Sequence, residues 1–113
     1  MNLRVETHRP REGVAVISLG GEVDVYTSPR VKQEVVDLLS NGTHKLVVDL
    51  SGVEYLDSTG LGVLIGGLKR AREREGDLKL VCDNLRIHRI FEITGLTKIF
   101  DIHRTEGEAL DKL

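Results

Sequence analysis

The sequence is poor in the residues on which disulfide frameworks, metal sites and stacking surfaces depend. Its 113 residues include one cysteine, no tryptophan, two tyrosines and two phenylalanines. The single cysteine, Cys82, cannot form an internal disulfide, and no cysteine–histidine cluster has the spacing of metal ligands. Few aromatic side chains argue against a surface that stacks bases or sugars. The net charge of −2 leaves no broad basic surface, so we expect no direct nucleic-acid partner.

Long hydrophobic segments are also missing. No apolar stretch is long enough to cross a bilayer, and the N-terminus lacks the apolar core of a signal peptide. We therefore expect a soluble, cytoplasmic protein with no membrane partner. Hydrophobic residues make up 40% of the chain and charged residues 30%, which is enough apolar material for a packed core. The length suits a single domain, residues 1–113.

Hydrophobic periodicity predicts alternating strands and helices. Residues 3–8 and 14–19 are predicted to form a hairpin, and residues 20–24 a loop. Ser28 and Pro29 are typical of a helix N-cap and its first residue. Strands are predicted at 45–50, 78–82 and 99–102, and helical stripes begin near Leu61 and Ile87. Thr105 and Glu108 form a capping-box pattern before a short last helix.

The predicted order is β-β-α-β-α-β-α-β-α. A hairpin followed by β-α-β units gives an α/β fold with right-handed crossovers. We expect a mixed sheet of four to five strands with an N-terminal hairpin, packed with about four α-helices that lie mainly on one face.

The motif Asp57-Ser58-Thr59-Gly60-Leu61-Gly62 lies between a strand and a helix and carries the most information about function. A hydroxyl at Ser58 can cap the free N–H groups of the helix, or it can accept a phosphate at the helix N-terminus. Thr59 offers a second capping hydroxyl, Gly60 and Gly62 leave a bare surface, and capping alone does not demand Asp57. These observations favour modification without excluding a capping serine.

Enzyme interpretations fit the residues poorly. Gly60 and Gly62 begin a dinucleotide-like spacing, but Ile65 occupies the position of its third glycine, and no phosphate-binding loop is present. A hydrolase elbow requires glycine two residues before Ser58, where the chain has Leu56. The four histidines are scattered among polar residues. We therefore expect no catalytic residues, and a small enzyme using Ser58 is the weakest alternative.

Residues 48–64, which contain this motif, closely resemble the signature of the anti-sigma factor antagonists of the STAS domain family. Residues 21–24, Gly-Glu-Val-Asp, resemble that family's G-E-hydrophobic-D loop, and residues 91–100 resemble its late helix and strand. The resemblance covers almost the whole chain in the right order. It implies a STAS-type fold.

The resemblance implies a partner-switching role. Members bind an anti-sigma factor that is also a serine kinase, and this binding frees the sigma factor. The kinase phosphorylates the first serine of the motif, here Ser58, and the complex dissociates; a PP2C-type phosphatase restores it. ATP belongs to the kinase, so no cofactor is implied. The partner-binding residues implied are Gly21, Glu22, Asp24, Asp57, Ser58, Thr59, Gly60, Leu61 and Gly62.

The alternative from another class is a STAS module with a structural or scaffolding role in a larger signalling assembly, where Ser58 tunes assembly. A transporter-linked domain fits less well without a membrane segment. In either case Glu22 and Asp24 are predicted to lie near Ser58, because both segments leave the carboxyl ends of neighbouring strands.

Overall fold

A computed structural model describes residues 2–113. Between these residues the chain forms five strands and four α-helices, in the predicted order. They are β1 (Leu3–Arg11), β2 (Val14–Val23), α1 (Ser28–Ser40), β3 (Lys45–Leu56), α2 (Ser58–Glu73), β4 (Asp77–Val81), α3 (Leu85–Ile93), β5 (Ile102–His103) and α4 (Glu106–Asp111). A short 3₁₀ helix, Leu96–Lys98, precedes β5.

The strands form one mixed sheet in the order β1-β2-β3-β4-β5. β1 and β2 pair antiparallel as the predicted hairpin, with Thr7 opposite Ile17. The remaining neighbours pair in parallel, for example Ile17 with Val48 and Val48 with Leu80. The predicted fold class is therefore confirmed.

Two apolar clusters cover the two faces of the sheet, because successive residues of a strand point to opposite sides. The larger cluster lies against α1, α2 and α3 and includes Ile17, Val48, Leu80, Ile87 and Phe91. The smaller cluster lies against α4 and consists of Val16, Val47, Val81 and Ala109. Three helices thus pack on one face and α4 on the other, in agreement with the predicted arrangement.

The predicted loop at residues 20–24 is wrong, because β2 continues to Val23. Its two glycines serve close approach inside the sheet. A Cβ at Gly20 would lie 2.2 Å from the guanidinium of Arg4, and one at Gly21 would lie 2.3 Å from the carbonyl oxygen of Asn2. Gly21 also has a φ of +95°, which favours glycine. The parallel ladder shifts register on both sides of this pair, as expected of a bulge.

Three other boundaries differ from prediction. β3 extends to Leu56, directly before the motif. The N-cap of α1 is Thr27, so that Ser28 is already helical. The last strand is reduced to Ile102–His103, because Phe100 turns inward and packs edge-on against Phe91, with ring centroids 5.8 Å apart.

One charged side chain is buried in the sheet. Lys79 of β4 is almost fully enclosed, and its ammonium donates to Asp101 with an Nζ–Oδ2 distance of 2.6 Å. A second carboxylate, that of Asp77, lies 3.7 Å away. The hydrogen bond and the charge of Lys79 lower the pKa of Asp101. This pair ties β4 to the segment that leads into β5.

We expect Asp101→Asn to lower the free energy of unfolding by about 1 to 2 kcal/mol, because a buried ammonium loses its main partner. The folded pKa of Asp101 is lowered, so its contribution is complete above the ordinary aspartate pKa of about 3.9 and is lost as the pH falls through the lower, folded pKa. Urea unfolding of the unmodified chain and of Asp101→Asn, measured from pH 7 into acid, should show that the difference between their free energies of unfolding decreases as the pH falls. The exposed Asp111→Asn is the matched control, and a difference that persists unchanged in acid would contradict this assignment.

Candidate functional site

The N-terminus of α2 is capped by Asp57 and not by Ser58. Asp57 Oδ1 accepts from the backbone N–H groups of Thr59 and Gly60, at 3.0 and 3.1 Å. The same oxygen accepts from the Thr59 hydroxyl at 2.5 Å. Ser58 is the first helical residue. The structure therefore gives Asp57 the capping role that the sequence left open for Ser58, and it uses Thr59 to hold the cap.

The side chain of Ser58 does not contribute to the helix cap. It is exposed, and its hydroxyl makes no hydrogen bond to any residue between 2 and 113, whereas that of Thr59 is engaged by Asp57. Among residues 2–113, no histidine or carboxylate forms a hydrogen bond with the Ser58 hydroxyl, whereas a nucleophilic serine requires such an activating base. Its hydroxyl is available to an enzyme that approaches from solvent.

The electrostatics around Ser58 are set by Asp57. The hydrogen bond from the Thr59 hydroxyl, followed by that from the Gly60 N–H, lowers the pKa of Asp57. The carboxylate therefore stays ionised at neutral pH beside Ser58. It also occupies two of the N–H groups that make a helix N-terminus attractive to anions. A phosphate on Ser58 would meet a negative neighbour at a terminus that is already capped.

The segment after β2 lies beside the motif because β2 and β3 stay paired to their ends. Val23 pairs with Leu56, and the Asp57 N–H donates to the Val23 carbonyl at 3.2 Å. A shallow hollow forms between the two segments. It is lined by Glu22, Asp24, Val25, Tyr26, Tyr55 and Asp57. The predicted closeness of Glu22 and Asp24 to the motif agrees with this geometry.

Asp24, which the resemblance implies as a partner-binding residue, holds the loop after β2 by local hydrogen bonds. Its side chain is buried, with 4% of the residue exposed. Asp24 Oδ1 accepts from the N–H groups of Tyr26 and Thr27, both at 2.9 Å. The Thr27 hydroxyl in turn donates to the carbonyl of Glu22 at 2.7 Å. Asp24 therefore shapes the loop that carries Val25 and Tyr26, and its part in partner binding stays a prediction.

The other predicted contact residues divide by exposure. Those buried with Asp24 are Gly21, Gly60 and Leu61, and those at the surface are Ser58, Thr59 and Gly62, with Glu22 and Asp57 partly exposed. Gly60 packs so closely against the sheet that a Cβ there would lie 2.6 Å from Leu56 and 2.9 Å from Val23. The buried group supports the surface, and the exposed group is what a partner could touch.

Three exposed apolar residues beside Ser58 escaped the sequence analysis. Tyr26 is 76% exposed, Tyr55 51% and Val25 54%. The chain has two tyrosines, and both line this hollow. The sequence could have indicated this surface, because one tyrosine precedes α1 and the other precedes α2. Exposed tyrosines with an acidic rim are typical of a protein-docking surface.

Other kinds of site find no support in the described part of the chain. Residues 2–113 contain no group of three or more histidine, cysteine or acidic residues placed to hold a metal ion. Over the same residues, no helix has the length and apolar character that crossing a membrane requires.

The sequence and the fold of this chain are similar to those of known proteins. The family model described as the STAS domain matches residues 7–109. The anti-sigma-B factor antagonist of Staphylococcus epidermidis is 38% identical, covering 98% of this chain and all of that protein. That of Listeria monocytogenes is 40% identical, with 96% and 95% covered. An anti-sigma factor antagonist from Mycobacterium paratuberculosis, solved as a crystal structure, superposes with a TM-score of 0.88 at 30% identity, covering 98% of this chain and 93% of that one.

The cap assignment leads to a stability prediction. Asp57→Ala should lower the free energy of unfolding by about 1 kcal/mol, because two N–H groups of α2 lose their acceptor. Asp57→Asn keeps an acceptor and should lose much less, and Ser58→Ala should match the unmodified protein. Urea denaturation measures all three. If Ser58→Ala were as costly as Asp57→Ala, the serine would share the cap.

Proposed function

The chain belongs to the STAS domain family, and from this premise we propose that it is an anti-sigma factor antagonist that works by partner switching. Its unphosphorylated form binds an anti-sigma factor with serine kinase activity, and this binding releases a sigma factor. Phosphorylation of Ser58 ends the binding, and a PP2C-type phosphatase removes the phosphate. The catalytic steps belong to the partners, while this chain binds and is modified.

The observation that carries the proposal is the free, exposed hydroxyl of Ser58 beside an exposed apolar surface. A kinase can reach this hydroxyl without breaking a hydrogen bond. Tyr26 and Tyr55 supply large apolar contact area at a low entropic cost, a common property of binding hot spots. The proposed docking residues and the modified serine therefore lie in neighbouring segments.

A phosphate on Ser58 would act by repulsion at the interface. It adds about −1.5 to −2 charge beside the ionised Asp57, whose cap leaves few N–H groups to compensate it. In the free protein this charge remains in water, so the fold persists. Under a partner it must be desolvated, at a cost of several kcal/mol. A loss of about 3 kcal/mol weakens binding more than a hundredfold.

The neighbouring threonine is protected by its own contact. The Thr59 hydroxyl donates to Asp57 at 2.5 Å, so its modification would remove this support from the helix cap. The hydroxyl of Ser58 carries no such cost. This difference favours Ser58 over Thr59 as the phosphate acceptor.

We expect one phosphate on Ser58. The anti-sigma factor, captured with Ser58→Ala and purified, should phosphorylate the unmodified chain with ATP, and mass spectrometry should map the phosphate to Ser58. Thr59→Val should be modified at the same residue. Ser58→Ala should remain unmodified and keep its affinity. The phosphorylated chain should bind at least about a hundredfold more weakly, while its thermal melt shifts by a few degrees at most.

Three results would contradict the proposal. A phosphate on Thr59 with Ser58 untouched would make the site assignment wrong. A phosphorylated chain that melts far lower would replace interface repulsion by local unfolding. A partner that binds both forms equally and assembles with many copies of the chain would favour the scaffolding alternative.

Tyr26 should be an anchor of the interface. Tyr26→Ala should weaken binding to the purified anti-sigma factor by about 2 kcal/mol or more, with little effect on the thermal melt because the side chain is exposed. Leu85→Ala, at a residue 78% exposed on α3, is the control and should bind normally. Titration calorimetry measures both variants. Unchanged affinity for Tyr26→Ala would remove the tyrosine from the binding surface.

A further inference from the structure

The outward face of α2 continues well beyond Ser58. Residues Ser58, Gly62, Ile65, Lys69 and Arg72 are all exposed, and their spacing of three and four places them on one side of the helix. At 1.5 Å per residue, Ile65 lies about 10 Å and Lys69 about 16 Å from Ser58 along the axis. No neighbouring atom lies within 4 Å of where a Cβ of Gly62 would stand. The face is therefore open between its two ends.

An apolar groove borders the far half of this face. Ile65 and Leu68 of α2 form one wall, and Ile99, from the segment before β5, forms the other. Ile65 is 38% exposed and Ile99 is 42% exposed. The rim consists of Lys69, Arg72 and Glu73. Apolar walls with a charged rim are typical of a protein-docking groove.

The rim carries charges of both signs, and one of its two cations has no ion pair among the described residues. Lys69 forms no ion pair with any residue between 2 and 113, and Arg72 approaches Asp77 with an Nε–Oδ1 distance of only 3.7 Å. Glu73 and Asp77 are the acidic side chains near these two cations, and neither forms an ion pair with Lys69. A segment that fills the groove would gain by placing a carboxylate near Lys69.

We propose that this groove docks an acidic, apolar segment of the anti-sigma factor, so that one footprint runs along α2 from Ser58 to Lys69. The inference rests on the proposed function and adds a second contact to it. A standard interface covers about 800 Å² of each partner, which reaches well past 10 Å. The groove lies beyond the Debye length of about 8 Å from Ser58, so it contributes affinity whether or not Ser58 carries a phosphate.

Binding to the purified anti-sigma factor tests the groove. Ile65→Asn and Lys69→Glu should each weaken the complex at least about tenfold. Ile99→Asn, on the opposite wall and outside any helix, should do the same and checks that the loss does not come from α2 itself. The controls are Ile93→Asn, 77% exposed on α3, and Lys112→Glu near the end of the chain. Both should bind as the unmodified chain does.

A zero-length cross-link tests the chemistry of the occupant. A carbodiimide should join the Lys69 amine to a partner carboxylate as an amide, with loss of water, and peptide mapping should place that carboxylate in an apolar segment. Lys69→Arg keeps the charge, so it should bind normally and lose the cross-link. A complex that forms no link through Lys69 would overturn the acidic occupant.

Different binding results would contradict the groove proposal and the proposed function. If the unmodified chain binds the anti-sigma factor and the groove variants bind equally well, the groove proposal alone is wrong. If Ile93→Asn loses as much affinity as Ile65→Asn, the contact does not belong to the groove. If the unmodified chain binds no anti-sigma factor, both proposals are wrong.

Discussion

The parallel pairing of β2 with β3, maintained to the last residue of both strands, is the constraint on which the site depends. It brings the end of β2 against the start of α2, where the Asp57 N–H donates to the Val23 carbonyl. Gly60 packs against Val23 and Leu56 with no room for a Cβ. If either strand ended earlier, the loop with Tyr26 and the motif with Ser58 would not share an edge.

Because Asp57 caps α2, the stability of this helix terminus does not depend on the Ser58 side chain. An N-cap residue is needed because the first N–H groups of a helix lack partners. Asp57 meets this need, so Ser58 can be modified without uncapping α2. The same carboxylate is an ionised neighbour whose lowered pKa keeps it charged, and this charge would oppose a phosphate. In the proposed switch, this one residue stabilises the helix terminus and strengthens the repulsion of a phosphate on Ser58.

Hydrophobic patterning was sufficient for the order of elements and for the mixed sheet, because the buried stripes of α1 and α2 have a clear period of 3.6 and β3 contains a continuous buried run at residues 46–48. It failed where tertiary contacts decide. Gly20 and Gly21 were predicted to form a loop. The residues that pack against them, Arg4 and Asn2, are distant in sequence, so local patterning could not show why glycine is needed in this strand. Asp57 and Ser58 are equally good caps, and a one-residue helix boundary separates them. The exposed Tyr26 lies in a turn held by the hydrogen bonds of Asp24 to the N–H groups of Tyr26 and Thr27, a local pattern that the sequence analysis did not identify.

The exposed face of α2 differs between its two ends in how strongly a phosphate on Ser58 would affect it. Its N-terminal end has a free serine, an ionised Asp57 and exposed tyrosines, so an added phosphate changes the local field strongly. Its far end has apolar walls and the cation of Lys69, about 16 Å away along the helix, where water and salt screen that field. A partner that used only the first end would be released completely by one phosphate. A partner that used both ends would lose most of its affinity on phosphorylation but would still bind weakly through the far end, so it would return to the same face once the phosphate is removed.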